Sequence, residues 1–185
     1  DPAQLAGRLY QEQIDEIVFY DIMASAEKRR ADIATVAEVA KNIFVPLTVG
    51  GGIRSLDDMH AVLAAGAEKI SIDSMAVRDP ALITRGASEF GVQCIVVSLQ
   101  AKWVGRSAEI PSGYEVAIDG ARVFTGMDAI EWARRAEELG AGEIVVNSID
   151  RDGTGRGYEL DLTGQIARAV TVPVDEISSL SGMVE

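Results

Sequence analysis

Short runs of branched apolar residues alternate along the chain with amphipathic helical stretches, the pattern of repeated βα units around a parallel sheet. The runs predict strands over residues 17–21, 46–50, 70–73, 94–99, 144–147 and 172–174. Their near-continuous apolar character suits strands covered on both faces. Helix starts are marked by Asp1-Pro2, by Ser55 with Asp58 three residues on, and by Asp79-Pro80. Gly66 and Gly140 stand where helix C-terminal glycines belong.

One segment departs from this alternation. Residues 114–118 and 121–125 alternate around Asp119-Gly120, a strong hairpin-turn signal, and predict a flap beyond the C-terminal end of the preceding strand. A repeat is also visible. Gly66-Ala67-Glu68-Lys69-Ile70-Ser71-Ile72-Asp73-Ser74 and Gly140-Ala141-Gly142-Glu143-Ile144-Val145-Val146-Asn147-Ser148 share Gly, Ala, Ile and Ser at equal offsets. A doubly wound sheet and a (β/α)₈ barrel both fit, and the repeat favours the barrel, whose interior is built in layers from alternate strands.

With the strands that begin at Ile17, Ile70 and Ile144 in register, Glu16, Lys69 and Glu143 share one level at the N-terminal ends. Val18, Ser71 and Val145 form the next layer, and Tyr20, Asp73 and Asn147 the C-terminal mouth. The charged floor has two readings. Long side chains can simply close the barrel bottom and reach water, or a ring of opposed charges can gate a small molecule past Thr48, Ser71 and Ser98.

Composition narrows the partners. The chain has 185 residues, 48% hydrophobic and 25% charged, with a formal net charge of -12. That charge argues against nucleic acid or an anionic membrane as partner. No apolar run approaches the roughly 18 residues of a membrane span. With a single cysteine, Cys94, and no visible signal peptide, a soluble, cytoplasmic, single-domain protein is expected. The absent initiator methionine and the broken periodicity of residues 175–185 suggest a partial chain with a divergent C-terminal end.

An anionic ligand must then be held by local backbone donors. Val49-Gly50-Gly51-Gly52-Ile53 ends a strand just before a capped helix and is a candidate phosphate cradle, or simply a turn requiring positive φ. Asp152-Gly153-Thr154 has the same two readings. His60 falls within a helix and reads as a surface or packing residue, and Cys94 as core. No His/Cys/Asp cluster has metal-ligand spacing, so neither a metal nor another cofactor is expected.

Three segments carry a family resemblance: residues 15–25, with Asp21-Ile22-Met23-Ala24-Ser25; residues 48–53; and Ser148-Ile149-Asp150-Arg151-Asp152-Gly153-Thr154. Over residues 1 to about 174 the chain resembles the cyclase subunit of imidazole glycerol phosphate synthase, of histidine biosynthesis. The resemblance implies a (β/α)₈ TIM barrel with a glutaminase subunit docked at its N-terminal face as a heterodimer. Ammonia then crosses the barrel and reacts at the mouth with a phosphoribulosyl-formimino aminoimidazole carboxamide ribotide. The products are imidazole glycerol phosphate and the aminoimidazole carboxamide ribotide. It further implies an ammonia gate of Glu16, Lys69 and Glu143. The implied sites for the two substrate phosphates are Gly52, Asp73 and Ser74 at one end and Asp152 and Gly153 at the other. Asp21, Asn147, Asp150 and the residue at position 100 become candidate catalytic residues.

There are departures. The family uses two aspartates as general acid and base; the first would precede Asp1, and the second aligns with Gln100, which cannot move a proton at neutral pH. Asp73 stands where the family usually has asparagine, and Ser178-Ser179 replace a Gly-Gly turn. A barrel of about 250 residues would be short here by strands at both ends. The expectation is a poor cyclase and an aggregation-prone open sheet. A silent family member that binds a glutaminase-like partner is the alternative, and the sister sugar-phosphate isomerase of the pathway fits the motifs less well.

Overall fold

The structure, a computed structural model, describes residues 1–21, 24 and 29–177. Ser178, Ser179 and the rest of the C-terminal end lie outside the described residues, as do Ile22, Met23 and Ser25.

Six strands run parallel: β1 (Ile17–Tyr20), β2 (Leu47–Gly50), β3 (Lys69–Ile72), β4 (Ile95–Trp103), β7 (Glu143–Ser148) and β8 (Val174–Ile177). Two more, β5 (Tyr114–Ile118) and β6 (Val123–Asp128), form an antiparallel hairpin on the far end of β4. Helices follow the strands: α1 (Pro2–Gln11) precedes β1, α2 (Ile33–Ala40) follows it, and α3 (Leu56–Ala64) follows β2. Next come α4 (Ser74–Arg78) and α5 (Ala81–Phe90) after β3, α6 (Ala129–Leu139) after the hairpin and α7 (Leu160–Ala169) after β7. The parallel strands pair in the order β1-β2-β3-β4-β7-β8 and curl into part of a (β/α)₈ barrel. No described helix is long and apolar enough to cross a membrane.

Strand alternation divides the side chains. Leu47, Ile70, Ile72, Ile95, Val97, Leu99, Ile144 and Val146 join one buried cluster with Val36, Met59, Leu82, Ile83, Trp132 and Ile166 of the helices. The intervening positions face the barrel interior, where Thr48, Lys69, Ser71, Ser98 and Glu143 break the apolar run. A strand apolar on one face and mixed on the other still reads as nearly continuous in sequence, because Val18, Val96 and Val145 lie on the inner side.

The helix signals act locally. Asp1 accepts from Ala3 N at 2.9 Å with Pro2 in the first turn. Ser55 Oγ accepts from Asp58 N at 3.2 Å while Asp58 Oδ2 accepts from Arg54 N at 3.0 Å. Gly66 (φ 110°) and Gly140 (φ 111°) end α3 and α6 in matching conformations. A Cβ there would come within 2.7 Å of the Cβ of Ala40 and of Ala87 respectively, so each glycine also lets the preceding helix pass close. The sequence repeat is thus a repeat of packing.

Four boundaries differ from expectation. β4 continues past Leu99 to Trp103, because β5 returns against residues 100–103 and supplies their hydrogen-bond partners. The last strand is Val174–Ile177, so Asp175, Glu176 and Ile177 extend the sheet against β7. In the hairpin, Asp119, Gly120 and Ala121 all take positive φ, delaying β6 to Val123. Asp79 does not cap α5; its carboxylate pairs with Arg85 at 2.7 Å. Cys94 closes a 3-10 turn just before β4 and is half-buried.

Candidate active site

The floor is assembled from alternate strands. Lys69 Nζ donates to Glu16 Oε1 and Oε2 at 3.0 and 2.8 Å and to Glu143 Oε2 at 2.7 Å. Thr48 Oγ1 donates to Glu16 Oε1 at 2.7 Å. Burial opposes the charge on Lys69, but the hydrogen bonds to Glu143 and Glu16 outweigh it and raise its pKa above the ordinary lysine value. Burial pushes the Glu143 carboxyl up despite Lys69, since one ammonium is shared by two carboxylates and Asp175 adds a third negative charge. Asp175 reaches this level because the last strand runs from Val174 to Ile177 and not over the expected residues 172–174.

One layer up, the Tyr20 hydroxyl and Ser71 Oγ share a 2.7 Å hydrogen bond. The Tyr20 ring lies across Gly50, where a Cβ would fall 2.4 Å from its Cε1.

At the mouth, two adjoining cavities of about 620 and 560 Å³ open above the sheet. The first is lined by Gly51, Gly52, Ser74, Arg78, Asp119 and Arg122, the second by Tyr20, Asp21, Ser98, Gln100, Asn147 and Asp152. Gly51, Asp73 and Gly120 line both. Gln100 is a strand residue, in register with Ala117 of the hairpin and Asn147 of β7, and its Nε2 donates to Asp73 Oδ2 at 2.8 Å. Burial lifts the Asp73 carboxyl to about 6; the Gln100 hydrogen bond pulls the other way and the Asp119 charge adds to the rise.

The remaining candidates are placed as follows. Asp21 is buried and accepts from Arg29 Nη1 and Nη2 at 2.5 and 2.8 Å, from Ala24 N at 3.1 Å and from Asp32 N at 3.3 Å. Burial would raise its pKa, but the Arg29 and backbone donors hold it below the usual carboxylate range. Asp150 Oδ2 accepts from Trp103 N at 2.7 Å, tying the loop after β7 to the end of β4. Asp152 sits in the turn after β7, its N–H donating to Ser148 O at 2.8 Å, and Gly153 has φ 69°. Gly52 has φ 74°, and a Cβ there would lie 2.9 Å from Ala31 N and from Arg29 O.

Three residues contribute in ways the sequence does not mark, Asp119 showing there only as a turn residue. Arg78 and Asp119 form a two-bonded ion pair, with Nη1 to Oδ1 at 2.9 Å, and the Asp119 N–H donates to Ser74 Oγ at 2.9 Å. The hairpin turn is therefore fastened onto the Gly52 and Ser74 end of the mouth. Arg29 is the third. Nothing in local sequence announces such pairings: Arg78 and Asp119 are 41 residues apart, and no periodicity marks Arg29 as the partner of Asp21.

A histidine biosynthesis protein family model matches residues 1–179. The chain belongs to this family. Within the histidine biosynthesis family it is similar to imidazole glycerol phosphate synthase subunit HisF of Nitratidesulfovibrio vulgaris (strain DP4). The two are 58% identical over 174 residues, 94% of this chain and 67% of the relative. The proteins of the same description from Solidesulfovibrio magneticus and Desulfosudis oleivorans are 56% and 53% identical over equal spans.

Proposed function

We propose that the chain is the ammonia-using cyclase of imidazole glycerol phosphate synthase, acting in histidine biosynthesis with a glutaminase subunit. The observation that carries this reading is Lys69 clasped between Glu16 and Glu143 at the floor, beneath a polar mouth with two adjoining cavities. Ammonia delivered at the N-terminal face passes the charged ring and the hydroxyls of Thr48, Ser71 and Ser98. A bisphosphate substrate spans the mouth, one phosphate at Gly52 and Ser74, the other at Asp152 and Gly153. Asn147 and Gln100 face the reacting centre between them. Asp21 and Asp150 hold the surrounding loops, since each carboxylate is committed to donors of its own chain.

The test is release of the aminoimidazole carboxamide ribotide from the formimino ribotide. It is driven first by ammonium and then by glutamine with a glutaminase subunit. Turnover in both regimes is expected. Gln100 favours a second reading, a partner-binding subunit without turnover. That reading would be supported by stimulation of the glutaminase with no ribotide released under either nitrogen source.

A further inference from the structure

Carboxylates at the mouth differ in how free they are to move a proton. Asp21 is neutralised by Arg29, Asp119 is paired with Arg78, and Asp152 lies exposed in its turn. Asp73 alone among these lines both cavities and is held by a neutral amide, the Gln100 donor at 2.8 Å. We propose that Asp73 is the proton-carrying residue of the cyclase, with Gln100 as its positioning partner. The inference rests on the cyclase reading and departs from the expectation that Asp73 only borders a phosphate.

The geometry suits the first chemical step. Ammonia emerging beside Ser71 and Ser98 meets the ribulosyl ketone between the two phosphates. As its nitrogen lone pair forms the C–N bond, the carbonyl π pair moves to oxygen and takes the proton of Asp73. The carboxylate so formed removes a proton from the new ammonium nitrogen. This leaves a neutral carbinolamine and Asp73 protonated again, so no proton is gained or lost. Gln100 can support both states, because its amide offers a donor to the carboxylate and an acceptor to the acid. The charged neighbours of Asp73 are Asp119, which favours the protonated state, and Arg78, which opposes it. A group titrating about 6 is matched to such a cycle near neutrality.

The experiment measures ammonium-driven kcat and KM for wild type, Asp73→Asn and Gln100→Ala across pH 5 to 9, with thermal melting of each variant. Asp73→Asn should lower kcat by roughly 10²–10⁴-fold with KM changed less than about threefold. Gln100→Ala should move the fall in kcat that accompanies loss of the Asp73 proton to higher pH, because it removes a donor to the carboxylate and so raises its pKa. A kcat for folded Asp73→Asn above one tenth of wild type, with wild type active, overturns the Asp73 assignment and leaves the cyclase reading intact. If that variant does not fold, the wild-type profile decides: a flat kcat between pH 5 and 7 overturns the assignment. Wild type without any ammonium-driven turnover overturns both.

Discussion

Lys69 Nζ lies 2.7 Å from Glu143 Oε2, although 74 residues separate them in sequence. They start β3 and β7, which are not neighbours in the sheet; β4 stands between them. Their meeting follows from curvature, since alternate strands of a barrel send side chains into a common layer. The same argument brings Glu16 of the β1 end to the other side of Lys69. Among the described residues Lys69 is the cation that bridges these two carboxylates, and burial makes Glu143 costly to charge.

Removal of that cation tests the gate. Lys69→Ala should reduce glutamine-driven turnover at least about tenfold, a barrier increase of roughly 1.4 kcal/mol. The rate at saturating ammonium should fall by no more than about a third of that factor, because free ammonia can enter from the open mouth. Parallel rate measurements with the two nitrogen sources check this. Equal losses in both would mean that the ring only closes the barrel floor.

Asp73 also sets a pH dependence of stability. Its folded-state pKa of about 6 lies above the ordinary aspartate value of roughly 3.9. Below pH 3.9 the acid is protonated in both states and costs nothing. Between 3.9 and 6 the unfolded chain releases the proton first, so this group lowers stability progressively; above 6 the full cost is in place. Asp73→Asn should therefore raise Tm more at pH 8 than at pH 4. Denaturation curves at the two pH values would contradict the account if the wild type and the variant differed equally at both.

Much of this was legible in the sequence because the barrel obeys two simple periodicities. Period-two alternation places Glu16, Val18 and Tyr20 on one side of β1, and the repeated Gly-Ala segment sets Lys69 and Glu143 at one level without any structural knowledge. The Asp119-Gly120 turn was equally plain, since both residues adopt the positive φ that the hairpin needs. Contacts set by partners distant in sequence were not legible. β4 reaches Trp103 only because β5 returns to it, and the Arg78–Asp119 pair joins residues 41 apart in sequence. Gln100 read as a loss, whereas its amide bonded to Asp73 makes the pair a unit.

Gly52 separates the turn from the cradle. An added Cβ would press on Ala31 N and Arg29 O, and φ 74° is itself strained for alanine, together costing about 1–3 kcal/mol. Gly52→Ala should lower Tm by several degrees and also weaken inorganic phosphate binding, measured calorimetrically well below the melting range. A lowered Tm with unchanged phosphate affinity would reduce Gly52 to a residue needed only for the turn.

If the same end of the mouth takes a phosphate as proposed, the Arg78–Asp119 pair bears on its affinity. The pair occupies the guanidinium that an incoming phosphate would otherwise reach, and the Asp119 N–H occupies Ser74 Oγ. Both side chains are partly exposed, so the ion pair is worth at most about 1 kcal/mol and weakens with salt. Asp119→Asn keeps the backbone donor and the turn while removing the negative charge. It should tighten inorganic phosphate binding up to about fivefold at low ionic strength, with the gain shrinking in ~0.5 M salt. Arg78→Gln should instead weaken binding, and doing so in the Asp119→Asn background shows whether the arginine acts on phosphate or only on the hairpin. If phosphate affinity ignores Arg78 once Asp119 is neutral, the ion pair serves to fasten the flap and the anion is held by the backbone at Gly51 and Gly52 alone.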